Sequence, residues 1–399
     1  MKVWEAKTSQ PIRILLGPRQ TGKTSFLEHI AEPSRKFVNF DDLPTRDLAS
    51  RDPKAFLDNL PSNLVIDEAQ YVPVIFPELK RRVDQYKKWV RSKTGKAPSP
   101  PSFWLTGSNR LAMDREVSES LTGRASFFLM NTLSFSEIKS SLSDASFANY
   151  LLRGGWPELW VDTELNFISY LNDHIQTTLE KDLVNTAGIT KVNEFLKVLR
   201  LLAGRVGGLF VASEIARDAG VKSDTVSEWV SFVERMMYLI HVPAYATSLS
   251  TRLIKAPRFY FADVGIATRL QGWTSESPLM VSPYLGVLFE NAVAAEIFKT
   301  KINLQLNLDL CHWRTKDNEE VDFVVAHERG MIAFECKYAA TEASSWIPPR
   351  EIRKIPHCRF VVVSATGGPS VRGIEHLSLG QLADFLKNEI GSESADYQK

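Results

Sequence analysis

The chain has 399 residues, more than one ordinary core organises, so two to three domains are expected, and 44% hydrophobic residues suffice to build them. Lysine plus arginine number 48 against 47 aspartate plus glutamate, which excludes a global field drawing the protein onto nucleic acid or an anionic membrane; such contacts need a local patch. Cys311, Cys336 and Cys358 lack C-x-x-C spacing, which argues against a structural zinc site and fits a reducing compartment.

In chain order, the start Met1-Lys2-Val3-Trp4-Glu5 lacks a secretion-signal core, and no later apolar run reaches the length of a membrane span. A cytoplasmic protein with no membrane partner is expected. A strand over Ile12 to Leu16 runs into Gly17-Pro18-Arg19-Gln20-Thr21-Gly22-Lys23-Thr24, which fits the phosphate-binding pattern G-x-x-x-x-G-K-[ST]. Ser25 to Ile30 reads as the start of a helix. Triphosphate oxygens need several N–H donors converging on one concavity, so glycines let the backbone approach closely and the helix N-terminus adds partial positive charge. Lys23 is expected on the β and γ phosphates of ATP and Thr24 on Mg²⁺. The nucleotide-binding set thus comprises Gly17, Pro18, Arg19, Gln20, Thr21, Gly22, Lys23, Thr24 and Ser25. A glycine-rich turn without ligand is the alternative, and the strand-loop-helix context weighs against it.

Lys36 to Phe40 reads as a short strand ending in Asp41-Asp42. Leu64-Val65-Ile66-Asp67-Glu68 is a wholly apolar strand ending in two carboxylates, as in parallel sheets buried on both faces. Asp67 is expected to hold Mg²⁺ or its water, and Glu68 to orient and activate the attacking water. Val74 to Val90 is an amphipathic helix and Ser92 to Ser102 an exposed, mobile loop. Phe103 to Asn109 is another buried strand whose polar exit puts Ser108 or Asn109 near the γ phosphate as a sensor. Arg124, before the strand Ala125 to Met130, has two readings: a cation supplied to the γ phosphate of a neighbouring subunit in a homo-oligomer, or a salt-bridged surface arginine.

The stretches Gly17 to Thr24, Leu64 to Gln70, Leu105 to Arg110 and Ser120 to Arg124 together resemble the AAA-type ATPases of bacteria and archaea. In these, the C-terminal half is a domain of unknown function with a restriction-endonuclease-like fold. Gly154-Gly155-Trp156-Pro157-Glu158, Phe259-Tyr260-Phe261-Ala262-Asp263-Val264-Gly265, Trp313-Arg314-Thr315 and Glu320-Val321-Asp322 extend the similarity to about Leu386. The resemblance implies a parallel-sheet α/β ATPase domain over 1–135, a helical lid over 136–190, a winged-helix region over 191–275 and a nuclease-like α/β domain over 276–390. A disordered tail is expected over 391–399.

Within that frame, Gly154 to Glu158 reads as a tight turn that packs the helical lid. Val211 to Ala219 and Ser223 to Met236, separated by Gly220-Val221-Lys222, have helix-turn-helix spacing, with Tyr238 to Val242 and Pro257 to Phe261 as wing strands. The second helix would read DNA, yet it carries Asp224, Glu228 and Glu234 against Lys222 and Arg235, and carboxylates are repelled by phosphates.

The last domain reads as helix Leu285 to Phe298, strands Leu308 to Arg314, Val321 to Ala326, Ile332 to Lys337 and Arg359 to Ser364, and a closing helix Leu379 to Leu386. Asp322, twelve intervening residues and Glu335-Cys336-Lys337 reproduce the core of the PD-(D/E)xK nuclease motif. Asp322 and Glu335 would hold a second divalent metal, Lys337 would orient or deprotonate water, and Glu290 is an extra ligand from the helix. Val321 replaces the motif's proline and Cys336 a position often β-branched; neither change removes a charged group. Two readings follow: an ATPase joined to a metal-dependent nuclease acting on nucleic acid, or a regulatory NTPase whose other domains are interaction scaffolds.

Overall fold

A computed structural model describes residues 4, 10–108, 110, 113, 120–179, 190–246, 256–315 and 317–391. The chain divides into two compact units, Met1–Asn131 and Thr132–Lys399. Among the described residues no helix is long and apolar enough to cross a membrane.

In the first unit, β1 (Ile12–Leu16), β2 (Lys36–Asn39), β3 (Asn63–Asp67), β4 (Ser102–Gly107) and β5 (Ala125–Leu129) form one parallel sheet in the order β2-β3-β4-β1-β5. Successive side chains of a strand point to opposite faces, and the apolar runs divide accordingly. Ile12, Ile14, Leu16, Leu64, Ile66, Phe103 and Leu105 share one core with Ile75, Phe76, Leu79 and Val83 of the helix Ile75–Ser92. Leu15, Val65, Trp104 and Phe128 pack on the other face with Trp4 and with Leu27 of the helix Lys23–Ile30. Both faces are therefore covered, which is why these strands carry no polar alternation. Each such side chain contributes about 1.5–3 kcal/mol on burial.

The second unit begins with the helix Phe135–Ser141, closed by a capping box in which Ser134 and Glu137 satisfy each other's backbone N–H groups. Helices Phe147–Arg153, Pro157–Val161 and Phe167–Asp173 follow. The expected helical segment beyond residue 179 lies outside the described residues up to 190. Helices Val192–Gly204, Ala212–Ala219 and Ser223–Arg235 precede an antiparallel two-stranded ribbon of β6 (Leu239–Val242) and β7 (Arg258–Phe261). Gly220, at φ 77°, makes the turn between the last two of these helices.

After the helices Val264–Gln271 and Leu285–Leu304 comes a five-stranded mixed sheet. Its strands are β8 (Asp309–Arg314), β9 (Glu320–His327), β10 (Gly330–Cys336), β11 (Cys358–Ser364) and β12 (Glu375–Ser378), ordered β12-β11-β10-β9-β8. β8, β9 and β10 are antiparallel, whereas β10, β11 and β12 are parallel. β12, too short and polar to stand out in the sequence, was not expected. The closing helix is Leu382–Ile390, and the expected tail from 392 lies outside the described residues.

Two motifs from the sequence interlock here. Asp263, only 2% exposed, caps the helix Val264–Gln271 and also accepts from Thr132 Oγ1 at 2.6 Å and Gly155 N at 2.8 Å. A Cβ at Gly154 would lie 2.0 Å from Asp263 Oδ1, and one at Gly155 would lie 1.9 Å from Leu133 O. The two glycines are thus required by close approach, and their role is packing.

Candidate functional site

The loop between β1 and the helix Lys23–Ile30 is shaped by backbone requirements. Gly22 sits at φ 87° and Gln20 at φ 60°, and a Cβ at Gly17 would lie 1.9 Å from Met130 O. No side chain caps the helix N-terminus, so its first-turn N–H groups face the loop without a side-chain acceptor. Lys23 lies across the loop, its Nζ donating to Pro18 O at 2.7 Å and Gly17 O at 3.0 Å, while Thr21 Oγ1 donates to Pro18 O at 3.0 Å. Arg19 reaches Tyr71 Oη at 3.4 Å.

β4 lies between β1 and β3, so the polar ends of all three meet. Thr24 Oγ1 donates to Asp67 Oδ2 at 2.8 Å, joining the loop to the acidic end of β3. Thr106, from β4, donates to Asp67 Oδ1 and accepts from Glu68 N at 3.1 Å. Glu68, at φ 52°, turns its carboxylate onto Ser108: Oε2 accepts from Ser108 Oγ at 2.8 Å and from Ser108 N at 3.3 Å, and from the Gln70 amide. Asp41, at the end of β2, has its carboxyl pKa raised by burial and then by the charges of Glu68 and Asp67.

Lys23, Thr24, Asp67, Glu68 and Ser108 are thereby gathered at one end of the sheet, as expected; Asn109 lies outside the described residues. Thr106 and Gln70 were missed as site residues, although Thr106, near the end of β4, and Ser108, just past it, both reach the β3 carboxylates. A hydroxyl and a carboxylate held 2.8 Å apart are hard oxygen donors, which suits Mg²⁺ shared with phosphate oxygens.

Arg124 is placed differently. Its Nε and Nη2 bind Asp84 at 2.7 and 2.9 Å, a bidentate pair that raises the arginine's pKa. Ala125 pairs with Ile12 at the end of β1 away from the loop. At roughly 3.3 Å per residue, the arginine lies about 15 Å from the loop end of its own β1.

The second set of expected residues gathers in the other unit. Glu335 of β10 is 2.8 Å from Lys337 Nζ, and Asp322 of β9 accepts from Cys336 N at 2.8 Å. Glu290, from the helix Leu285–Leu304, accepts from Tyr260 Oη at 2.5 Å and lies 3.5 Å from Arg258 Nη1; Arg258 Nη2 is 2.9 Å from Glu320. Burial first, then the charge of Asp322, raises the pKa of Glu290 to about 8 and of Glu335 to about 7. Burial also raises Asp322, against the Cys336 N–H and the charges of Lys337 and Arg258. Among the described residues no group of three or more His, Cys, Asp or Glu side chains is arranged to hold a metal. Asp322 acts electrostatically on both Glu290 and Glu335.

The helix Ser223–Arg235 exposes Asp224, Ser227, Glu228, Ser231 and Arg235. This outward face carries two carboxylates against one cation, unfavourable for a phosphate backbone.

Residues 9–139 match a family model described as AAA domain. Residues 144–277 and 285–364 match models described as domains of unknown function, DUF8612 and DUF4143 respectively. Uncharacterized protein Mb2031c of Mycobacterium bovis and uncharacterized protein Rv2008c of Mycobacterium tuberculosis are each 27% identical over 337 residues, covering 84% of this chain and 72% of theirs. Among solved structures, the Aeropyrum pernix ORC2 protein in its ADPNP-ADP complexes aligns with a TM-score of 0.33 and 14% identity, over 73% of this chain and 90% of that one. Its ADP form aligns with a TM-score of 0.29 and 12% identity, over 65% and 86%. The first unit carries an AAA-type domain built on a parallel P-loop sheet.

Proposed function

We propose that the protein binds ATP with Mg²⁺ and hydrolyses it at the end of the parallel sheet. The carrying observation is the 2.8 Å contact of Thr24 Oγ1 with Asp67 Oδ2, which brings the loop hydroxyl and the β3 carboxylate to one point. Thr24 and Asp67 would hold Mg²⁺, which when bound neutralises charge on the phosphates. The loop N–H groups and Lys23 bind the phosphate oxygens, the lysine exchanging its two loop carbonyls for them. Glu68, oriented by Ser108 and Gln70, takes the proton of the attacking water. Lys23→Ala should lose nucleotide affinity, whereas Glu68→Gln should bind ATP and fail to turn it over. Equal turnover by wild type and Glu68→Gln removes Glu68 from the mechanism.

In this reading Arg124 acts in trans within a homo-oligomer; the alternative, a salt-bridged surface arginine, is supported by its bidentate pair with Asp84. Three free cysteines fit a cytoplasmic setting. A second reading, favoured by the convergence of Asp322, Glu335 and Lys337, makes the C-terminal sheet a divalent-metal-dependent nuclease-like domain acting on DNA or another nucleic acid. The alternative is that this sheet and the winged-helix-like segment are non-catalytic scaffolds. Cleavage assayed with Mg²⁺ or Mn²⁺, with and without ATP, separates them: no cleavage under any condition leaves the scaffold.

A further inference from the structure

The acid cluster draws on three elements: Glu290 on the helix Leu285–Leu304, Glu320 and Asp322 on β9, and Glu335 on β10. Lys337, just beyond β10, is paired with Glu335. Two of the remaining carboxylates, Glu290 and Glu320, are met by a cation from a different segment, whereas Asp322 accepts from Cys336 N. Arg258 is the first residue of β7, is 6% exposed, and places Nη1 3.5 Å from Glu290 Oε1 and Nη2 2.9 Å from Glu320 Oε2. Two residues on, and so on the same face of the strand, Tyr260 donates to Glu290 Oε1 at 2.5 Å. Arg258 Nε is buried with no hydrogen-bond partner. A guanidinium held for its hydrogen bonds would have that donor satisfied, so here the attraction of the acids outweighs the cost of an unmade bond.

Carboxylates taken out of water repel one another unless a cation sits among them, and the service a divalent metal would perform is performed by Arg258. The lone pairs of Glu290 and Glu320 engaged by the guanidinium and by Tyr260 are not presented to a metal. We infer that Arg258 is the resident counter-cation of this cluster, occupying it in place of a divalent metal, and that the pairing latches the β6–β7 ribbon to the helix and sheet that carry the acids. While the pair is closed the latch excludes the metal-dependent nuclease reading, and it leaves the scaffold reading intact.

The test is Mn²⁺ binding to the full chain, measured by calorimetry or electron paramagnetic resonance in wild type and Arg258→Gln. With a cation removed from beside the acids, the variant binds Mn²⁺ about tenfold more tightly or better, and adding Asp322→Asn abolishes the gain. A folded Arg258→Gln chain that binds Mn²⁺ no more tightly than wild type overturns the inference. Should that variant fail to fold, Glu320→Gln decides, because Glu320 is exposed and its loss removes the nearer partner of Arg258. Hydrogen exchange over residues 258–261 then accelerates several-fold if the latch exists, and unchanged exchange overturns it. No readout uses cleavage, so an inactive nuclease leaves this result intact.

Discussion

Both candidate sites gather carboxylates, at strand ends in the first and from strands and a helix in the second, and they differ in what faces those carboxylates. Asp67 and Glu68 are met by neutral donors: the hydroxyls of Thr24, Thr106 and Ser108 and the amide of Gln70. Glu290, Glu320 and Glu335 are met by Arg258 and Lys337. Neutral donors orient a carboxylate and leave its charge for an arriving cation, whereas a resident cation cancels that charge in advance. The same residue types are therefore held by neutral donors in one unit and by cations in the other.

The largest effect tests how the first site is completed. If a second copy supplies Arg124 to the γ phosphate, Arg124→Ala lowers hydrolysis about 10³- to 10⁵-fold with ATP binding unchanged, and mixing it with Glu68→Gln subunits restores part of the activity. A monomer with full activity ends that idea. Next comes the cation-held site. Arg258→Met leaves the largely buried Glu290 without its cation and should cost about 3–5 kcal/mol in urea unfolding near pH 9, where Glu290 is ionised, and less at pH 5, where it is protonated. Equal losses at both pH values would show that Arg258 acts by packing alone.

A smaller effect is expected at Thr106, which holds the Asp67 carboxylate from behind. Thr106→Val should weaken Mg²⁺-dependent turnover by about 10- to 100-fold, the usual range for a residue that orients a metal ligand. Smallest is a pH dependence measured in EDTA. Glu290 and Glu335 keep their protons to about 8 and about 7 in the folded chain, above the unfolded carboxylate range, so the native state binds more protons between those limits. Their contribution to stability is complete below the unfolded range and is lost as pH rises through these values. The melting temperature should fall from pH 5 to pH 8, and Glu290→Gln should flatten the curve.

Local pattern made much of this legible. The loop Gly17 to Thr24, the strand ending in Asp67-Glu68 and the motif Asp322 to Lys337 depend on short spacings and on strand periodicity, which a sequence displays directly. Thr106 was legible in principle, two positions before Ser108, but nothing local marked it as the partner of Asp67. That pairing requires β4 to lie between β1 and β3, a matter of sheet order.

Arg258 stands 32 positions before Glu290 and 62 before Glu320, so no spacing rule connects it to either acid. The paired glycines at 154 and 155 likewise showed a turn and not the buried carboxylate of Asp263 they make room for. By itself the sequence determined which residues carry chemistry suited to phosphate and metal at motif spacing, because those identities are chemical and their spacing is local. Only the tertiary structure decided which carboxylates remain available, because the energy of a buried charge is set by whatever other segments the fold brings against it.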